Sequence, residues 1–151
     1  MAWIGAAKAP VGCVFCTARD GGDDRITYLL ERSDHAYLIL NTYPYASGHL
    51  MAVVNRHVGT LADAQTAELA DMMRLVRRAV EALTAEYRAE GFNVGMNQGR
   101  AAGAGIEDHL HIHVVPRWNG DSNFATVIGD TRVLPETLDT TWARLRGRLG
   151  G

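Results

Sequence analysis

The chain has 151 residues, with 15 Lys and Arg against 17 Asp and Glu, six His, two Cys and 47% apolar residues. At this length one core removes roughly 70% of the unfolded surface from water, so a single domain over residues 1–151 is expected, with no need of disulfides to fold. A net charge of −2 argues against coating nucleic acid or an anionic membrane, and no apolar run reaches the roughly 20 residues of a membrane span.

The start, Met-Ala-Trp-Ile-Gly-Ala-Ala-Lys, lacks the basic segment and apolar core of a secretion signal, so the cytoplasm is the expected location. Cys13 and Cys16 have no other cysteine to pair with, which excludes a disulfide framework and leaves thiols or metal ligands. Ile26 to Glu31 and Ala36 to Asn41 are short β-branched and aromatic runs around Arg-Ser-Asp-His, the pattern of two paired strands. Turn formers fill 41–48, and Leu50 to Asn55 resumes an apolar strand with His49 at its entrance.

Between Asp63 and Glu90 the period changes, with Leu69, Met72, Met73, Val76, Val80, Leu83 and Tyr87 at three- and four-residue steps. An amphipathic helix is predicted, capped by Thr60 or Asp63 and closed by Gly91, with both methionines in the core. Phe92 to Asn97 reads as a strand, 98–108 as a glycine-rich loop, and Phe124 to Ile128 as a further strand. From Pro135 the tail repeats Leu138, Trp142, Leu145 and Leu149, a second helix with Pro135 near its first turn. Together these elements predict an α+β fold, an antiparallel sheet of about five strands with one long central helix and a C-terminal helix.

Asp108-His-Leu-His-Ile-His-Val-Val-Pro-Arg-Trp118 holds three of the six histidines. In a strand over 109–115 side chains alternate, so His109, His111 and His113 share one face and Leu110, Ile112 and Val114 the other. Histidine is a middling strand former whose ring nitrogens need partners when buried, so folding alone does not call for three. Aligned imidazoles suit a shared metal, a shared anion or a relay.

His109-Leu-His-Ile-His-Val-Val resembles the H-φ-H-φ-H-φ-φ signature of the histidine triad superfamily of nucleotide hydrolases and transferases. Cys13-Val-Phe-Cys16, the run Asn41 to Met51, Phe-Asn-Val-Gly at 92–95 and the segment from His113 to Phe124 extend the likeness over most of the chain. It is greatest to the bacterial branch that includes diadenosine tetraphosphate phosphorylases. The resemblance implies the triad fold, a homodimer, and an adenine nucleotide substrate cleaved at its α-phosphorus through a nucleotidyl intermediate on His111, with water or inorganic phosphate as acceptor.

The chemistry of imidazole agrees, since near pKa 6.5 it is largely neutral and nucleophilic at pH 7, and a carbonyl holding one N–H frees the other nitrogen. The expected carbonyl is that of His109. His113 and His49 are expected to donate to phosphate oxygens or the leaving group. Asn41, Asn97 and Asn123, with Gly103 and Gly105, are expected at the nucleotide and its phosphates, glycines admitting backbone N–H groups closely. Arg100 is a candidate phosphate cation. Where superfamily members often carry Gln or Ser before the triad, this chain has Gly105 and Ile106.

Cys13-x-x-Cys16 has the spacing of half a tetrahedral zinc site. The resemblance to some superfamily members adds His57 and His109 as the remaining ligands of a structural zinc, with no cofactor needed for the chemistry. Three other readings stand beside this one: an adenosine phosphoramidate hydrolase, a non-catalytic nucleotide-binding module, and a metal enzyme holding one ion on His109, His111 and His113.

Overall fold

The computed structural model describes residues 12–122, 128–129 and 136–150. In chain order it contains α1 (Val14–Asp20), α2 (Asp24–Thr27), β1 (Leu29–Arg32), β2 (Ala36–Leu40), β3 (Leu50–Val54), α3 (Thr66–Tyr87), β4 (Gly91–Gly95), β5 (His111–Arg117) and α4 (Leu138–Leu149). The strands form one antiparallel sheet in the order β1-β2-β3-β5-β4. The α+β architecture expected from the sequence, five strands with a long helix and a C-terminal helix, is therefore the observed one.

The period of two along the strands divides the interior. Leu38 and Leu40, Leu50 and Ala52, and Ile112 and Val114 point to α3 and α4, where Met72, Leu75, Leu83, Leu145 and Leu149 complete the main core. Tyr37, Ile39, Met51 and Val53 point the other way and pack with Phe15 of α1 and with Ile106. The Tyr37 hydroxyl donates to the Phe15 carbonyl at 2.7 Å, fixing α1 on that second face. His111 and His113 lie there as well, opposite Val53 and Met51 in register.

Several expectations are corrected. Asp24 to Thr27 is a turn of helix rather than the start of a strand, because Asp23 accepts the Arg25 N–H, and Ile26 is exposed. Helix α3 starts at Thr66, not Asp63: Thr60 and Asp63 bond each other, and Gln65 caps the helix in a reciprocal capping box with Glu68. It ends on Arg88 in the left-handed conformation (φ 53°), while Gly91 opens β4. Met72 is buried but Met73 is exposed. The strand expected at Phe124 to Ile128 lies, apart from Ile128, outside the described residues, as do Asn123 and Pro135.

Candidate active site and cysteine–histidine cluster

The histidine strand begins two residues later than expected. His109 precedes β5 in a bend, where Leu110 donates to the Val58 carbonyl and its own carbonyl accepts from Val54. All three triad side chains are nonetheless buried on the second face: His109 and His111 are fully covered and His113 nearly so. Two glycines make this geometry accessible. Gly48, at φ +90°, turns the chain into His49 where a Cβ would lie 2.6 Å from Leu83, and at Gly59 a Cβ would lie 2.7 Å from the Glu107 carbonyl, so the 57–59 segment can approach His109.

Hydrogen bonding fixes the proton on each ring. His111 Nδ1 lies 2.8 Å from the His109 carbonyl, which can only accept, so Nδ1 carries the proton and Nε2 the lone pair. His49 Nδ1 accepts the Tyr45 main-chain N–H at 3.1 Å, which puts the proton of neutral His49 on Nε2. That atom is 2.9 Å from His113 Nδ1 and donates to it, so neutral His113 carries its own proton on Nε2, a buried atom with no hydrogen-bond partner among the described residues. Burial lowers the pKa of His109 and of His111. Burial, joined by the neighbouring His111, lowers that of His113 to about 4. A lone pair on His111 and an N–H on His113 thus stand on adjacent rings whose centroids are 5.0 Å apart.

The remaining expected residues are distributed unevenly. Asn41 is buried beside His49, but its Oδ1 accepts the Tyr43 N–H, so its amide shapes the turn that carries Tyr45. Asn97 is exposed just past β4. Gly103 is left-handed (φ 81°), and its N–H donates to the Arg100 carbonyl, so it closes a turn. Gly105 and the buried Ile106 follow that turn. Arg100 is exposed and paired with Glu107 at 2.8 Å. Tyr45, the Val54 carbonyl and Asp108 act in the site without having been singled out; two of them act through main-chain atoms, which leave no signature in side-chain type.

His109 turns away from His113 and toward the cysteines. Its Nδ1 lies 3.3 Å from Cys13 Sγ, 3.5 Å from Cys16 Sγ and 3.3 Å from His57 Nδ1, and His57 Nδ1 lies 3.4 Å from Cys16 Sγ. His109 Nε2 donates to the Val54 carbonyl at 2.7 Å, and His57 Nε2 faces Asp108 at 3.4 Å. With the His109 Nε2 proton engaged, its Nδ1 lone pair faces two thiols and the His57 ring, an arrangement that favours a cation at their centre. A tetrahedron with Zn–N near 2.0–2.1 Å and Zn–S near 2.3 Å has edges of about 3.3 to 3.8 Å, and the four residues fit that group. The triad histidines do not converge on one centre, which removes the reading of a single ion held by His109, His111 and His113.

The sequence profile of the HIT domain matches residues 25–120. The chain belongs to the HIT domain family. The HIT chain is 43% identical over 123 residues to an AP-4-A phosphorylase of Mycobacterium tuberculosis, an alignment covering 77% of this chain and 63% of that one, less than two thirds of its length. It is 36% identical over 110 residues to an uncharacterized HIT-like protein of the same organism, covering 72% and 74%. In structure it is similar to a Zn-bound histidine triad family protein from Mycobacterium smegmatis, with TM-score 0.74, 28% identity, and 92% and 94% of the two chains covered. Among the described residues of this HIT domain no helix is long and apolar enough to cross a membrane.

Proposed function

We propose that the protein cleaves an adenosine dinucleoside polyphosphate of the diadenosine tetraphosphate kind at an α-phosphorus, through a nucleotidyl intermediate on His111. The observation that carries this reading is the proton arrangement: a His111 Nε2 lone pair, set by the His109 carbonyl on Nδ1–H, beside a His113 Nε2–H that has no partner among the described residues. The likeness to a protein named AP-4-A phosphorylase supports the substrate class. His111 Nε2 attacks the α-phosphorus and forms the N–P bond as the P–O bond to the rest of the polyphosphate breaks. The outgoing phosphate is stable as an anion, so His113 Nε2–H hydrogen-bonds to it without surrendering its proton, and His49 holds His113 in that tautomer.

The ring gains positive charge as N–P forms, and the His109 carbonyl on Nδ1–H stabilises it. Inorganic phosphate, or water that releases a proton to solvent, then attacks the same phosphorus, the N–P bond breaks, and Nε2 recovers its lone pair. Asn97 and the residues around Gly105 line the approach of the phosphates in this proposal, with Asn41 acting through the turn it shapes and Asn123 retained from the resemblance. Incubation with diadenosine tetraphosphate, with and without inorganic phosphate, tests the reading by chromatography. ADP plus ATP appearing only with phosphate identifies a phosphorylase, AMP plus ATP without it a hydrolase, and no product under either condition defeats the proposal.

We further propose that Cys13, Cys16, His57 and His109 hold a structural zinc, with four protein ligands leaving no open position for water. Its contribution is to the stability of the 13–16, 57–59 and 107–110 segments. Metal analysis of the purified protein is expected to find about one zinc per chain. Cys13→Ser is expected to lose it and lower the melting temperature, and identical melting with and without chelator removes the proposal. A homodimer in the cytoplasm, acting on nucleotide rather than nucleic acid or membrane, completes the reading, and light scattering tests the dimer.

A further inference from the structure

The glycine-rich loop 98–108 is held differently at its two ends. Its far end is anchored in the protein. Ile106 is buried in the second core with Phe15 and Tyr37, Leu110 donates to the Val58 carbonyl at 2.7 Å, and Gly59 lies against the main chain of Glu107 and Asp108. The near end is exposed at Asn97, Gln98 and 100–103. Its main chain turns in on itself, with Ala102 and Ala104 donating to the Gly99 carbonyl and Gly103 to that of Arg100, and Arg100 pairs with Glu107 inside the loop. Among the described residues one hydrogen bond joins 97–103 to the remainder of the chain: Gln98 Oε1 accepts the Leu61 main-chain N–H at 2.8 Å. The 57–61 segment therefore grips the loop at both ends, by backbone contact at Gly59 and through Gln98 at Leu61.

What the loop offers a ligand lies between those two grips. Among the described residues the main-chain N–H groups of Gly105 and Ile106 make no hydrogen bond, so two donors ahead of the triad are left for an anion. Donors on a tethered loop lose less conformational freedom when a ligand arrives than donors on a free one. We propose that Gln98 is a positioning residue for substrate binding: its side-chain carbonyl clamps the near end of the loop to the 57–61 segment and so holds the Gly105 and Ile106 N–H groups in place for the substrate's phosphates. The inference rests on the function proposed above, which sets the phosphates along this loop. A glutamine suits the task, because its amide oxygen accepts the Leu61 N–H without bringing a negative charge to a site for phosphate. The bond is made to Leu61 and not to a triad histidine, so its effect falls on binding rather than on the attack by His111.

The test removes the bond from each side. Gln98→Ala takes away the acceptor, and Leu61→Pro takes away the donor. Leu61 is the second residue of the turn closed by the Asp63 N–H on the Thr60 carbonyl, the turn position that best accepts proline. Each variant is expected to raise KM for diadenosine tetraphosphate by about 3- to 10-fold with kcat within about 2-fold, the size of one net hydrogen bond. The double variant is expected to do no more than either single one. An unchanged KM in Gln98→Ala, a loss confined to kcat, or effects that multiply in the double variant overturn the inference. Hydrogen exchange gives a readout that needs neither substrate nor Leu61→Pro. In Gln98→Ala the amides of Ala102, Gly103 and Ala104 are expected to exchange about 3- to 10-fold faster while those of β5 and α3 keep their wild-type rates, and unchanged exchange in the loop overturns the clamp. A wild-type protein that cleaves nothing defeats the proposed function, and the exchange comparison still judges Gln98.

Discussion

Each imidazole of the site is defined by what its second nitrogen touches. A main-chain carbonyl holds His111, a main-chain N–H sets His49, and His49 sets His113. His111→Asn is accordingly expected to reduce turnover by about 1,000-fold or more while nucleotide binding survives, measured by steady-state kinetics alongside calorimetry. A near-normal rate would sink the nucleophile assignment. His113 also makes stability depend on pH. The unfolded imidazole titrates near 6.5 and the folded one at about 4, so between those values the unfolded chain takes up a proton that the folded chain refuses. The stability contributed by the neutral buried ring is whole above about 6.5 and drains as pH falls toward 4. Urea midpoints at pH 7, 5.5 and 4.5 are expected to decline, with a shallower decline in His113→Gln. The three triad positions were legible in the sequence because alternation places them on one face. The divergence of His109 was legible only through the family likeness, since its partners Cys13 and His57 lie 96 and 52 residues away. The proton of His111 was legible, since the His109 carbonyl was the acceptor expected for it; those of His109, His49 and His113 were not, because they are set through the Val54 carbonyl and the Tyr45 N–H, main-chain groups that leave no mark in side-chain type.

At the level of elements, helix α3 was plain in its three- and four-residue period, but its first turn was not. Gln65 is a poor capping residue by preference, and the start is determined instead by Glu68, which accepts from the Gln65 N–H at 2.7 Å and from Arg56 Nε and Nη2 at 2.8 and 2.9 Å. The Arg56 bonds hold the Glu68 carboxyl below its usual range. One buried carboxylate therefore ties the helix start to the residues just after β3. Glu68→Ala removes the cap and strands Arg56, and is expected to cost about 1–3 kcal/mol, read as a lower urea midpoint with an unchanged slope. A change below about 0.5 kcal/mol would show that the pair is replaced by water. The exposed Arg100–Glu107 pair is expected to contribute far less, at most about 1 kcal/mol.

Across the whole molecule the sheet separates two tasks. Its helix-covered face holds the larger apolar core, and its other face holds the triad and the cysteine–histidine cluster. Leu145, fully buried on the helix side, is expected to cost about 2–5 kcal/mol as Leu145→Ala, with kcat/KM per folded molecule retained; loss of specific activity at full folding would show the two faces to be coupled. The C-terminal helix closes that core from far along the chain. Trp142 Nε1 donates to the Leu29 carbonyl at 2.9 Å, Arg146 to the Leu30 carbonyl at 2.6 Å, and Arg78 reaches both Glu31 and the Leu149 carbonyl. Strand β1 at the sheet edge thus waits for residues more than 110 positions later. On a ribosome adding about 5–20 residues per second, β1 would remain uncovered for several seconds after it emerged, so the interval in which this chain is most exposed to misassembly is set by the time needed to synthesise its last helix.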